Sequence, residues 1–208
     1  MRRIPRSKRS ATGAFWSFKN GCLVPFESSL ERDLFNNLEF EDYVSGYEAQ
    51  PVRFAYRSAT GRRTSGVFDA ALEHDGERFA FVDVKFRREI VTKWKTLKAR
   101  LAAGRDYASE KQLQYFIRTD KHLRTKYTRN ARFLNRYLRF EPDLDHGTLI
   151  LNSLASSALT AHDLLESCSS DRAVQAEIVS TLWHYVATKK ISCDWTQPIT
   201  LETTLWLP

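Results

Sequence analysis

The chain is poor in cysteine, and the few cysteines it has are scattered. Cys22, Cys168 and Cys193 are odd in number and lie far apart among 208 residues. This spacing offers neither a disulfide framework nor a zinc-binding cluster. We therefore expect a protein of a reducing compartment, the cytoplasm. Its stability must come from a buried core, for which a hydrophobic content of 42% is sufficient.

Long apolar runs are also missing. The sequence contains no run of about 18 apolar residues, so no transmembrane helix is expected. The basic N-terminus is not followed by an apolar segment, which is unlike a secretory signal. Five of the first ten residues are Lys or Arg. Residues 1–14 are therefore predicted to form a disordered basic arm.

Acidic residues are scarce in one long block. Between Lys85 and Arg139 there are 17 Lys and Arg against 4 Asp and Glu, a local charge of +13. The whole chain carries +7, so the remaining residues sum to 7 − 13 = −6. Such a block is typical of a surface that contacts phosphates, because Lys and Arg displace condensed counterions. The alternative is a solvated helical surface. The block, however, begins just after Asp83, a candidate active-site residue, which favours nucleic-acid binding.

The first two thirds of the chain show the periodicities of helices and strands. Leu30, Leu34 and Leu38 recur every four residues, as on one face of a helix. The order helix, three strands, helix, strand predicts an α/β domain over residues 15–141, with a mixed sheet flanked by helices. The remaining predicted elements are strands over 50–56, 65–72, 78–86 and 113–118, and helices over 93–112 and 128–138.

From about Pro142 the basic character ends. Residues 159–165 and 171–189 are predicted to be helices, and residues 191–194 and 203–207 to be short strands. Two helices with a two-stranded wing predict a small winged-helix-like domain over residues 142–208.

The most informative side chains are Asp69, Asp83 and Lys85. Asp83 and Lys85 are two residues apart on one strand and so point to the same face. If residues 74–77 form a hairpin turn, Asp69 lies opposite Asp83. Two carboxylates at this spacing suit Mg²⁺, and a lysine beside them can orient or activate a water molecule and offset charge on phosphorus. The alternative is an ordinary polar hairpin face, against which the apolar neighbours of the two charges argue.

A third carboxylate comes from the first helix. Glu31 follows Leu30, and Glu27 lies one turn earlier on the same face. Either side chain can reach a metal above the sheet. From the residues alone, both are more typical of solvated helix glutamates.

Several of these segments together resemble TnsA, the endonuclease subunit of Tn7-like transposons. The likeness runs in order over roughly residues 25–121, about half of the chain. It rests on Leu30-Glu31-x-x-Leu34-Phe35-x-x-Leu38-Glu39, Tyr47-Glu48-Ala49-Gln50-Pro51, Phe68-Asp69, Val82-Asp83-Val84-Lys85 and Tyr115-Phe116-Ile117-Arg118-Thr119-Asp120-Lys121.

The resemblance implies a restriction-endonuclease-like fold of the PD-(D/E)xK class and a bacterial cytoplasmic protein. It implies that Glu31, rather than Glu27, joins Asp69 and Asp83 in binding Mg²⁺, for which Mn²⁺ substitutes. Lys85 completes the catalytic set. Phe68 stands where the general signature has proline, and Asp83 where the best-known member has glutamine.

The resemblance also implies partners and a reaction. The family cuts the 5′ strands at transposon ends while a TnsB transposase cuts and joins the 3′ ends, and its C-terminal domain contacts the AAA+ regulator TnsC. DNA, a TnsB-like transposase and a TnsC-like ATPase are therefore the expected partners. Two alternatives stay open: a free-standing restriction or repair nuclease, and a DNA-binding, regulator-recruiting module whose nuclease site has decayed.

Overall fold

The computed structural model describes residues 11–208. These divide into two compact units, one ending at Arg124 and the other running from Thr125 to Pro208. The predicted basic arm falls mostly outside the described residues, although Gly13 and Ala14 belong to a strand. Within the described part of the chain, no helix is both long and apolar enough to cross a membrane.

The first unit is built on a four-stranded mixed sheet. Strands β3, β6, β7 and β8 are neighbours in that order; β7 and β8 are parallel and the other pairs antiparallel. Of two separate hairpins, β1–β2 precedes the sheet in sequence and β4–β5 lies between β3 and β6. The elements are β1 (Gly13–Ser17), β2 (Cys22–Phe26), α1 (Ser29–Leu38), β3 (Gly46–Ala49), β4 (Arg53–Arg57), β5 (Arg63–Val67), β6 (Ala70–His74), β7 (Glu77–Lys85), α2 (Arg87–Thr92), α3 (Trp94–Glu110), β8 (Gln114–Thr119) and α4 (Asp120–Leu123).

The two faces of this sheet bury different side chains. On one face the leucine stripe of α1 packs against alternate residues of β6 and β7, including Val82 and Val84. On the other face Phe54, Phe68 and Phe81 pack together with Ala108 of α3. Helix α1 begins at Ser29, and the Ser28 side chain caps it by accepting a hydrogen bond from the Glu31 amide. The mixed α/β fold predicted from the periodicities is confirmed.

One predicted strand is in fact two. The strand expected over residues 65–72 breaks at Phe68 and Asp69, and its first half pairs with β4 instead of joining the main sheet. The break coincides with Phe68, whose completely buried ring packs against Phe54 and Phe81, so core packing outweighs continuation of the strand. The hairpin turn between β6 and β7 is confirmed, with positive φ angles at Asp75 and Gly76.

The second unit combines helices with a small sheet. Its three strands lie in the order β10-β11-β9 and are antiparallel. Helix α6 was not predicted, although Asp143 caps its first turn by accepting from the His146 amide. The elements are α5 (Lys126–Leu134), a 3₁₀ helix (Asn135–Arg139), α6 (Leu144–Leu154), β9 (Leu159–Thr160), α7 (Ala161–Cys168), α8 (Arg172–Ala187), β10 (Ser192–Cys193) and β11 (Thr204–Trp206).

The division between the units lies earlier than the position after residue 141 expected from the sequence. Helix α5 belongs with the second unit because Asn130 binds the loop that follows β10. Its Nδ2 donates to the carbonyl oxygens of Trp195 and Gln197, at 3.0 and 2.7 Å, and its Oδ1 accepts from the Ile199 amide at 3.0 Å. The change of charge at Pro142 therefore marks a difference in surface and not the edge of a folding unit.

Candidate active site

Asp69 and Lys85 form an ion pair at the end of the β6–β7 hairpin. Asp69 precedes β6, and its amide donates to the Val82 carbonyl at 3.0 Å, which sets it beside Asp83 as predicted. The Asp69 Oδ2 atom accepts from the Val84 amide at 2.6 Å and from Lys85 Nζ at 3.2 Å. The Val84 amide and the Lys85 side chain, both from β7, thus hold the Asp69 carboxylate in place.

This ion pair is only partly shielded from solvent. The side chain of Asp69 is 18% exposed and that of Lys85 is 16% exposed. Lys85 Nζ also donates to the Val84 carbonyl oxygen at 2.7 Å. Among the described residues no group donates to Asp69 Oδ1, so one carboxylate oxygen remains available to a cation.

Glu31 completes a capping arrangement at the start of α1. Its Oε2 accepts from the Glu27 amide and its Oε1 from the Ser28 hydroxyl, both at 2.8 Å. The spacing Ser28-x-x-Glu31 is that of a capping box, a structural role that the sequence analysis did not consider. The carboxylate is nevertheless within electrostatic reach of Asp69. A helix-start residue and a hairpin residue are thereby brought to the same region.

The electrostatics of Glu31 and Asp69 favour a bound cation. Burial raises the pKa of Glu31, and the nearby Asp69 carboxylate raises it further. Burial also raises the pKa of Asp69, although Lys85 acts in the opposite direction. Two partly buried carboxylates with raised pKa values repel each other, and a divalent cation between them would relieve that repulsion.

Asp83 is arranged differently from the expectation of a metal ligand. It is completely buried, and its two oxygens accept a bidentate pair of hydrogen bonds from Arg100 of α3, each 2.8 Å long. The Tyr115 hydroxyl of β8 also donates to Oδ2, which therefore has both lone pairs in use. Within residues 11–208, the ligand atoms of Glu31, Asp69 and Asp83 are not all within 4.8 Å of one another.

Arg100 and Tyr115 contact Asp83 but could not be singled out from the sequence. Arg100 lies in a helix where most basic residues are exposed, so its type and spacing do not set it apart. Tyr115 falls within the resemblance to TnsA, but only the structure shows that its hydroxyl points at Asp83. Burial and the neighbouring Asp83 charge raise the pKa of Tyr115, which keeps the hydroxyl protonated and able to donate.

A basic surface extends from Lys85 along the next two helices. Its exposed members lie on α2, on α3 and at the residue between them, where few acidic side chains offset their charge. Among these acids, Glu89 pairs with Lys93 and Asp106 with Arg105. We call this surface the α2–α3 basic face; its exposed residues are Arg87, Arg88, Lys93, Lys95, Lys98 and Arg105.

Glu31→Gln is expected to stabilise the metal-free protein by about 1 kcal/mol at pH 7.5. Because burial raises the carboxyl pKa in the folded state, folding disfavours the ionised form above that pKa. Glutamine keeps the size of the side chain and removes this penalty. The gain should fade as the pH falls towards 4, where the wild-type carboxyl is protonated. Thermal unfolding in EDTA at both pH values measures the effect.

Glu41→Gln is the matched control, since Glu41 is exposed and should change stability by less than about 0.5 kcal/mol. A lower stability of Glu31→Gln at pH 7.5 would mean that the capping hydrogen bonds outweigh the cost of burying the charge.

Comparison with known families bears on the second unit. Residues 123–195 match the family model described as TnsA endonuclease C terminal. The second unit is therefore similar to the C-terminal domain of TnsA. The matched segment covers about a third of the chain and lies outside the stretch on which the resemblance to TnsA was first based. The resemblance is therefore confirmed by an independent part of the sequence. No curated protein matches the chain.

Proposed function

We propose that this TnsA-like chain is a metal-dependent DNA endonuclease subunit of a Tn7-like transposase. It cuts the 5′ strands at transposon ends, together with a TnsB-type transposase and a TnsC-type AAA+ regulator. The observation that carries this proposal is the Asp69–Lys85 ion pair, with Glu31 within electrostatic reach of Asp69, in a chain whose second unit matches the TnsA endonuclease C-terminal domain.

The architecture of both units supports the proposal. A mixed sheet with a helix packed on each face and a hairpin carrying Asp69, Asp83 and Lys85 agrees with a restriction-endonuclease-like fold. In the second unit, three helices and a three-stranded antiparallel sheet, ordered α6, β9, α7, α8, β10 and β11, agree with a winged-helix-like module.

The site residues divide the work of hydrolysis between them. Asp69 and Glu31 are the proposed ligands of Mg²⁺, with Mn²⁺ able to substitute. Such a cation lowers the pKa of a bound water and stabilises charge that develops on phosphate. Lys85, held by Asp69 and by the Val84 carbonyl, places its ammonium where it can orient the attacking water and offset charge on phosphorus.

The α2–α3 basic face supplies a surface for the DNA backbone. It directly follows Lys85, so a strand lying along it would pass close to the cutting residues. The second unit is the proposed docking module for the regulator, a role that the resemblance to TnsA implies.

Cleavage mapping on donor DNA tests the proposal. The protein is combined with its transposase, its regulator, the DNA and either Mg²⁺ or EDTA. Cuts at the 5′ strands of the element ends are expected with Mg²⁺ and lost in EDTA. Asp69→Ala should remove them, because it deletes a metal ligand and the partner of Lys85, while 3′-strand cuts persist.

Asp106→Ala is the matched control, since it removes an exposed carboxylate from α3 and should leave both cuts in place. Normal 5′ cutting by Asp69→Ala would refute the site. Cutting by the wild type without any transposase would favour a free-standing nuclease. A wild type that binds DNA but never cuts would favour the decayed module.

The contribution of the α2–α3 basic face is measured by salt dependence. DNA affinity should fall steeply as salt increases, because each neutralised phosphate releases counterions. Replacing Lys95 and Lys98 by Gln should reduce the slope of log K against log salt by about 2 if both contact phosphates. The matched control is the double variant Arg172→Gln with Lys190→Gln, which removes two exposed positive charges from the second unit and should leave the slope unchanged. An unchanged slope for the first pair would remove this face from the interface.

A further inference from the structure

The contacts of Arg100 link the two segments that carry Asp69 and Lys85. Its guanidinium binds Asp83, which lies two residues before Lys85 on β7. The same group donates to the Val67 carbonyl oxygen at 2.6 Å, two residues before Asp69. Arg100 of α3 therefore joins the end of β5, just before the break between β5 and β6, to β7, the strand that pairs with β6.

The surroundings of Arg100 fit a fixed structural cation. Its side chain is 14% exposed, and its guanidinium lies 5.8 Å from the centre of the Phe54 ring. Burial acts to lower its pKa, but the hydrogen bonds and charge of Asp83 outweigh burial and raise it. A guanidinium with a bidentate carboxylate partner and a third acceptor uses the planar geometry that lysine lacks.

We propose that Arg100 is a positioning residue for Asp69 and Lys85, and that Asp83 is its anchor and not a metal ligand. This inference rests on the proposed nuclease function. Asp83 Oδ2 has both lone pairs in use, and Oδ1, which accepts from Arg100, is buried with the rest of the side chain, so a metal would have to disturb a buried bidentate ion pair to reach Asp83. Breaking a buried ion pair leaves an uncompensated charge in the protein interior, which is strongly unfavourable. Asp69, with a free oxygen at the solvent edge, has no such obstacle.

Metal affinity separates an anchor from a ligand. The double variant Asp83→Leu with Arg100→Met removes one charge of each sign and every possible ligand atom at position 83, and apolar residues of similar volume can replace a buried ion pair. Calorimetry with Mn²⁺ alone should give an affinity within about 3-fold of the wild type, because Asp69 and Glu31 remain. Asp69→Ala should lose binding. A loss of more than about 10-fold in the double variant would show that Asp83 is a ligand and overturn the inference.

Cleavage kinetics test the positioning role. In single-turnover cleavage of end DNA with the partners present, the double variant should be slower by about 10-fold or more, since small misplacements of reacting groups are costly. The DNA concentration giving half-maximal rate should stay unchanged. A wild-type rate would mean that Arg100 positions nothing. Arg100→Lys should also be slow, because an ammonium cannot make the three contacts of the guanidinium.

Tyr115→Phe provides a readout that does not depend on the stability of the charge swap. It removes one hydrogen bond from Asp83 and leaves both charges in place. The affinity for Mn²⁺ should be unchanged if Asp83 is an anchor, whereas a ligand released from a competing donor would bind more tightly. Failure of the proposed function looks different: the wild type itself would bind no Mn²⁺, or Asp69→Ala would cleave normally.

Discussion

Asn130→Ala is expected to lower the free energy of unfolding of the second unit by about 3 kcal/mol or more. The Asn130 side chain satisfies three backbone groups at once, two carbonyl oxygens and one amide, and it is almost completely buried. Alanine leaves the buried Ile199 amide and the two partly buried carbonyl oxygens without this partner, and an unsatisfied buried group costs about 1–3 kcal/mol. Urea unfolding followed by tryptophan fluorescence, to which Trp183, Trp195 and Trp206 of this unit contribute beside Trp16 and Trp94 of the first, measures the change.

Two further variants separate hydrogen bonding from packing at this position. Asn130→Asp keeps the size of the side chain but replaces the donating amide with an oxygen facing two carbonyls, so it should destabilise at least as much as alanine. Arg129→Ala, at the exposed neighbouring position on α5, should change stability by less than about 0.5 kcal/mol. A small effect of Asn130→Ala would show that water replaces the side chain, and the loop would then not explain why α5 belongs to the second unit.

Local patterns were sufficient to predict most of the elements that carry the site. The stripe of Leu30, Leu34 and Leu38 predicted α1, and Asp75-Gly76 predicted the turn of the β6–β7 hairpin. Both depend on neighbours within a few residues. The opposition of Asp69 to Asp83 then followed from counting residues back from the turn.

Features that depend on contacts between distant residues could not be predicted in the same way. The break between β5 and β6 coincides with the burial of Phe68 among aromatic rings from other strands, which no alternation within residues 65–72 reveals. The boundary after Arg124 depends on Asn130 reaching a loop more than sixty residues further along the chain. Nothing in the local sequence distinguishes the buried Asn130 from an exposed asparagine, so its role could not be predicted.

The candidate site shows the same distinction among charged residues. Asp83 and Lys85 are two residues apart on one strand and therefore share a face. From the sequence alone, both are predicted to belong to one metal site. In the structure their partners differ: Lys85 binds Asp69 at the solvent edge, whereas Asp83 binds Arg100 in the core. The two roles differ because Arg100, from a helix later in the chain, lies next to Asp83. This proximity depends on the tertiary structure and is not visible in the local sequence.

Lys85→Met is expected to slow 5′-strand cleavage by about 100-fold or more, the usual range for a group that assists proton transfer or offsets developing charge. Methionine nearly preserves the length and apolar stem of lysine but removes the ammonium. Affinity for Mn²⁺ should be retained or increased, because Asp69 loses the cation with which it is now paired. Single-turnover cleavage of transposon-end DNA and calorimetry with Mn²⁺ measure the two effects separately. Lys111→Met, an exposed lysine outside the α2–α3 basic face, is the control and should leave the cleavage rate unchanged.

Lys85→Arg distinguishes the two roles that the geometry allows for the lysine. A guanidinium keeps the positive charge but is much less able to give up a proton, and its planar shape does not match the site of a compact ammonium. Substantial recovery of the rate by arginine, compared with methionine, would indicate that the charge beside the phosphorus is what matters. A rate as low as that of Lys85→Met would indicate that the ammonium itself orients or activates the water. Should Lys85→Met cleave at the wild-type rate, the ion pair with Asp69 would have only a structural role, and the loss would appear in thermal unfolding instead.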